Sequence, residues 1–407
     1  MSTRTKLFPY PEQRALEDAA FEREVVPTRI HSLLLPVWKV TVQATVVVAE
    51  DYDLIDRYLS RGIAEAGLST TAELAGFFSL EPALVDRALR ALEAVGHLGI
   101  TEGRWWLTDI GLRSVREGKR YEVVNEDRRE LYFDGFGSRP LPKFCYDPTK
   151  VTLLPPDDLP TGFHGLFTRW SFDPAALPAL SAHPDRARLN LPERIDNPRP
   201  LGPPELGYLP LIVVRGASRS GRHRYLAYSQ ASGEADPDLG ALVESTPDIA
   251  RSLEHEQRAA NPEHEEQRAR DWIARNGLTN HRVARLPNGL LRVVLPARSF
   301  GPDGPLPLYQ LGSFVVRGNG FFQPWSDDAR LRQRALLSRT RSLLAARSRA
   351  DAGQVWARVE RVARQLEIPG LDRAKLRDLA VRSGAEALVV QLEELDRDAR
   401  GSHGATS

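Results

Sequence analysis

Between Trp38 and Val48 every even position is apolar, with Lys39, Thr41, Gln43 and Thr45 in between. Such alternation places the two sets of side chains on opposite faces of an extended chain, so the run predicts a long strand with one buried face. The spacing then turns helical. Leu54, Ile55, Tyr58, Leu59 and Ile63 predict a first helix that stops near Gly67. Thr70, with Glu73 three residues on, has the form of a capping box opening a second. Pro82 suits the first turn of a third helix, which buries Leu84, Val85, Ala88, Leu89 and Leu92. Short apolar pieces at 98–100 and 105–107 flank Glu102-Gly103 and predict a hairpin, and Thr108 caps a fourth helix running to about Glu117.

Helix, helix, helix, hairpin, helix is the order of a winged helix-turn-helix. Residues 52–118 resemble bacterial winged-helix domains of the MarR and ArsR sort, in TTAELAGFFSLEPALVDRALRALEAVGHL followed by TEGRWWLTDIG. Winged helices serve both DNA binding and protein docking, so the resemblance implies a fold more than a function. A DNA-reading winged helix puts the first half of its third helix in the major groove. There this chain offers Arg87 and Arg90 beside Glu81 and Asp86, with Arg104 at the hairpin tip as the expected phosphate contact. Trp105 and Trp106 are expected to brace the hairpin from inside. The module holds seven arginines against ten acidic residues, a balance that opposes phosphate binding and favours partner docking.

The remainder predicts an α+β chain of several segments. Residues 1–51 read as an N-terminal arm and the strand, 52–118 as the winged helix, and 119–205 as a proline-rich connector holding a short strand near 130–137. A mixed α+β domain follows over 206–326. Its strand signals lie at 209–214, 225–229, 283–286, 290–295 and 308–316, with a helical insert over 238–276. Ser218 to Gly221, Pro287-Asn288-Gly289 and Arg317-Gly318-Asn319-Gly320 read as hairpin turns. Residues 327–399 read as C-terminal helices and 400–407 as a frayed tail.

Signatures of chemistry are sparse. Cys145 is the sole cysteine and has aromatic neighbours, which excludes an internal disulfide framework and a thiolate zinc site and favours burial. No GxxxxGK[ST] loop is present, and Gly216-Ala217-Ser218-Arg219-Ser220 departs from the nucleophile-elbow pattern at its last position. His255-Glu256 and His264-Glu265 lack the second histidine of a zinc-protease helix and read as a solvated helix face. His223 and Arg224 are candidates to line a pocket that nothing else completes. Neither a metal nor a cofactor is expected. No run approaches the roughly 20 apolar residues of a membrane helix, and no secretion signal opens the chain, so a cytoplasmic protein without membrane partners is expected.

The most basic stretch is 327–350, with seven arginines against two aspartates. Its Arg330, Arg334 and Arg341 are candidates to touch a phosphate backbone. The acidic stretch 234–271, with eleven acids and four arginines, is a competing internal partner. The layout, with VWKVTVQATVVV before the module and ELYFDGF after it, resembles uncharacterised winged-helix proteins carried with bacterial phage-defence genes. The sequence therefore suggests a non-enzymatic component of a multi-protein, nucleic-acid-associated assembly, with a protein partner and double-stranded DNA as expected ligands. The alternatives are a transcription regulator with a ligand-sensing or dimerising β-rich half, and a nuclease-like enzyme whose site is assembled from distant residues.

Overall fold

A computed structural model describes residues 7–218, 220–258, 261–345 and 352–403. The chain is α+β and divides into two compact units. One gathers the described residues up to Leu35, Thr149–Phe167, and those from Tyr208 on; the other comprises Pro36–Pro148 and Thr168–Gly207.

The second unit is organised by a strand pair. Strand β1 (Val26–Asp51) enters it at Pro36, and β4 (Lys119–Asp134) runs back antiparallel beside it, from Val37↔Asp134 to Asp51↔Lys119. Burial alternates at Val40, Val42 and Ala44, as the period-2 pattern requires, then shifts to Val47 where the register to β4 slips between Val46 and Val47. Strand β4 is far longer than its sequence suggested. Its first twelve residues, KRYEVVNEDRRE, have no apolar alternation and are extended because they pair with β1, a charged edge strand of the sort that resists further pairing. Later in the unit, β6 (Ile195–Pro200) adds to the other side of β1. From helix α6 (Ala176–Ser181) and its flanks, Phe172, Leu177, Leu180 and Leu191 pack on Val40, Val42, Leu131 and Phe133.

Residues 52–118 fill the gap between the paired ends of β1 and β4. They form α2 (Leu54–Ala66), α3 (Thr71–Phe78), α4 (Pro82–Ala94), the hairpin β2 (Leu98–Thr101) and β3 (Arg104–Leu107), and α5 (Asp109–Glu117). Thr70 accepts from Glu73 N while Glu73 accepts from Thr70 N, a reciprocal cap. Leu59, Leu74, Val85, Leu89, Leu92 and Trp105 form the core. Trp106 departs from expectation. It is half exposed and lies over Gly99, whose missing side chain gives the indole its seat. A buried link ties the module to β4, for His97 Nε2 lies 2.6 Å from Tyr121 O.

The first unit contains α1 (Glu12–Phe21) and the opening ten residues of β1, in the stretch that read as an arm. Ile30, His31, Ser32, Leu33, Leu34 and Leu35 are all buried, so both faces are covered and no period survives in the sequence. Strand β5 (His164–Gly165) pairs with it in parallel. Strands β7 (Glu205–Ala217) and β8 (His223–Tyr228) form a hairpin, and helices α7 (Pro237–Ser245), α8 (Pro247–Arg258) and α9 (Pro262–Arg275) follow. A four-stranded sheet then orders β11-β12-β10-β9, from β9 (Arg282–Arg285), β10 (Leu291–Val294), β11 (Val315–Arg317) and β12 (Gly320–Trp325). The strand expected over 308–316 forms only from Val315. Pro307 opens a single 3-10 turn at Leu308–Gln310, and Gly312 takes a left-handed φ of 73°. Helices α10 (Ala329–Ala345), α11 (Ala352–Gln365), α12 (Arg373–Arg382) and α13 (Glu386–His403) complete the unit; of the expected tail, 404–407 lie outside the described residues. Among the described residues no helix is long and apolar enough to cross a membrane.

Two glycines test the packing of the module. A Cβ on exposed Gly76 in α3 meets nothing, whereas one on buried Gly111 in α5 sits 2.2 Å from the His97 carbonyl oxygen. In urea unfolding followed by tryptophan fluorescence, Gly76→Ala should gain about 0.5–1 kcal/mol from helix propensity. Gly111→Ala should lose about 1–3 kcal/mol through overpacking.

Candidate functional site

In the first unit a polar cleft of about 360 Å³ is lined by Arg29 and His31, Glu256, Asn261 with His264, Glu265 and Arg268 of α9, and Gly318 to Gly320. Elements far apart in sequence supply it. Arg29 and His31, two apart on β1, point to one face. Glu265 and Arg268 share a face of α9. The β11–β12 turn needs Gly318 at a φ of 62°, and its Asn319 carbonyl accepts from Ile30 N at 3.2 Å, which docks the turn on β1.

Glu256 is the hub. Its Oε2 accepts from His31 Nδ1 at 3.0 Å and Asn319 Nδ2 at 2.9 Å, and its Oε1 lies 2.9 Å from His164 Nδ1. The His31 bond, aided by His164 and Asn319 and opposed by burial, holds its carboxyl below the ordinary glutamate range. An ionised carboxylate accepts only, so both histidines carry the proton on Nδ1. In a neutral His164 that leaves Nε2 as an acceptor, and Ser252 Oγ lies 2.8 Å from it. Ser252 and Glu256 stand one turn apart on α8.

Beside this network Arg29 pairs with Glu265, which also takes Arg285 Nη2 at 3.3 Å. Burial, then the charges of Arg268, Arg285 and Arg215, lowers the pKa of Arg29. Arg215 is itself clamped by Glu254 at 2.8 and 3.3 Å and donates to Thr28 Oγ1.

His255-Glu256 and His264-Glu265, read from sequence as a solvated face, are thus corrected in part. His255 and His264 are exposed, but both glutamates turn inward onto β1 residues. Among the described residues no hydrogen bond or ion pair joins the acidic stretch to α10; Glu244 meets Arg224 and Glu254 meets Arg215. Cys145 is buried, as its neighbours suggested.

The six arginines singled out from sequence fall in two groups. In the second unit Arg87 and Arg90 are exposed on α4, with Arg90 Nε on Asp86 at 2.8 Å; Arg104 donates to Ser69 Oγ at 3.1 Å. In the first unit Arg330, Arg334 and Arg341 are exposed on α10, and their side chains bond no described residue. Helical geometry puts the three within about 40° of one another, but buried Leu337 interrupts the stripe. Two neighbours serve the interior. Arg339 donates to Gln365 Oε1, Tyr309 O and Leu311 O at 3.0, 2.6 and 2.5 Å, and Arg332 lies over the Trp325 ring. Arg347 and Arg349 lie outside the described residues. No group of three or more potential ligands able to hold a metal occurs among the described residues.

Comparison of the chain with family models, curated proteins and solved structures gives no match.

The hub gives a pH-dependent expectation. A carboxylate whose folded pKa lies below its unfolded value stabilises the fold fully above about pH 4.3, and that contribution fades as pH falls through the folded value. Glu256→Gln should cost about 1–3 kcal/mol at pH 7. The difference between the two proteins should shrink as denaturant titrations move below about pH 4.

Proposed function

We propose that residues 52–118 form a winged helix that docks a protein partner, and that the chain belongs to an assembly acting on nucleic acid, with Arg330, Arg334 and Arg341 against the phosphate backbone. One observation carries the docking reading. Leu54, Tyr58 and Phe77 are 67%, 48% and 63% exposed. Leu54 and Tyr58 are one helical turn apart, and the rings of Tyr58, Phe78 and Phe77 adjoin at 6.2 and 4.9 Å, so they form one apolar strip. Aromatic side chains of this kind are what protein interfaces cover. A groove-reading surface would instead free its cations, whereas Arg90 here is tied to Asp86 and the module is acidic. The phosphate contact is supported by three exposed guanidinium groups without a partner among the described residues. A place in phage defence is supported by the layout of the sequence.

Fluorescence anisotropy with random-sequence duplex DNA tests the phosphate contact. Three neutralised phosphates predict a loss of affinity of about 40-fold between roughly 50 and 200 mM salt. Replacing Arg330, Arg334 and Arg341 by Glu should abolish binding, while Arg87→Ala and Arg104→Glu leave it unchanged. No binding at the lower salt overturns this part; sequence-selective binding lost in Arg87→Ala supports a transcription regulator instead. In a pull-down with the full chain as bait, the protein that the native chain captures should be lost from Phe77→Asp, which should unfold at the same denaturant concentration. A partner retained by Phe77→Asp overturns the docking surface.

A further inference from the structure

Docking and phosphate contact use none of the network around Glu256, and the following inference does not rest on them. Ionised Glu256 places a proton on Nδ1 of His164, 2.9 Å from its Oε1. In the neutral imidazole the Nε2 lone pair then faces Ser252, whose hydroxyl oxygen lies 2.8 Å from it. Nucleophile, base and orienting carboxylate thus stand in series.

Three observations separate this arrangement from ordinary packing. Several hydroxyls at the helices of this chain bond the carbonyl four residues back, Thr246 to Leu242 at 2.6 Å, Ser181 to Leu177 at 3.0 Å and Ser342 to Ser338 at 3.2 Å, while Ser60 and Ser114 meet Tyr52 Oη and His97 Nε2 at 3.1 and 3.5 Å with no carboxylate in line. Ser252 turns instead to His164. Second, Glu256 cannot rotate away, because His31 and Asn319 hold its other oxygen. His31 is 1% exposed, its Nε2 has no partner among the described residues, and its Nδ1–H goes to Glu256. Third, the relay reaches the surface. The His164 side chain is 38% exposed and Ser252 is half-buried.

We propose that the chain cleaves small carboxylic esters by acyl transfer through Ser252, with His164 as general base and Glu256 as a positioning residue. Ser252 Oγ bonds to the ester carbonyl carbon while its proton passes to His164 Nε2 and the carbonyl π pair moves to oxygen. That pair returns as the bond to the alcohol breaks, and the leaving alkoxide takes the proton from Nε2. Water then adds to the acyl-serine, giving a proton to Nε2; collapse breaks the Oγ–acyl bond, returns that proton to Ser252 and releases the acid. One water is consumed per ester, and nothing is oxidised or reduced.

A fluorophosphonate-rhodamine probe on the full chain, with the labelled peptide read by mass spectrometry, tests this. Labelling at Ser252 should be lost in Ser252→Ala, fall by about 10²-fold or more in His164→Ala, and persist in Phe77→Asp. An unlabelled protein, or labelling unchanged in Ser252→Ala, overturns the proposal. Ser252→Cys gives a readout that does not depend on truncating the network, since the native Cys145 is buried. Its alkylation by iodoacetamide should have a midpoint well below the roughly 8.5 of an ordinary thiol, returning towards that value on adding His164→Ala or Glu256→Gln. An ordinary midpoint that neither change moves would make the relay structural and sink the proposal.

Discussion

An extended backbone offers a donor and an acceptor at nearly every residue, and 26 consecutive extended residues need partners along their whole length. Much of this structure answers that need. Strand β4 takes residues 37–51 of β1, β6 takes part of the opposite edge, β5 pairs at Leu33 and Leu34, and β7 neighbours β1 in the strand order. The same strand carries Arg29 and His31 into the polar cleft and, at its other end, brings Asp51 opposite Lys119. Changing one residue of its register would turn both cleft side chains to the opposite face.

What the sequence showed and what it hid follow from how local each feature is. The elements between 52 and 118 were legible because caps and turns are written within four residues of themselves: Thr70 with Glu73, Pro82 at a helix start, Thr108 accepting from Gly111 N. The three hairpin turns of the first unit were legible for the same reason. Strand β4 was not, because a charged sequence is extended there only by virtue of its partner. Nor was the opening half of β1, where burial on both faces erases periodicity.

The cleft was the least legible part. His31 and Glu256 are 225 residues apart and Arg29 and Glu265 are 236 apart. Each glutamate, taken with its helical neighbours, resembles any solvated acid. The one local hint was a polar histidine and serine inside the apolar run IHSLLL, where a buried polar group must have found a partner. Charge counts misled in the other direction. The arginines of α10 share one helix yet do unlike things, for Arg339 crosslinks three acceptors inside the fold, Arg332 covers an indole, and Arg330 faces water. A window of sequence counts guanidinium groups without saying which are already committed.

The pairing of Asp51 with Lys119 makes residues 52–118 a cassette. Its two ends leave and rejoin the ribbon at a single cross-strand pair, a separation that a short turn also spans. The ribbon's own hydrogen bonds would persist if such an insert were exchanged, lengthened or deleted, and the ties lost with it would include the His97 contact to Tyr121 and the Arg113 pair with Asp196. Two chains sharing β1 and β4 would then carry unrelated heads on the same stem, and their likeness would lie in the stem.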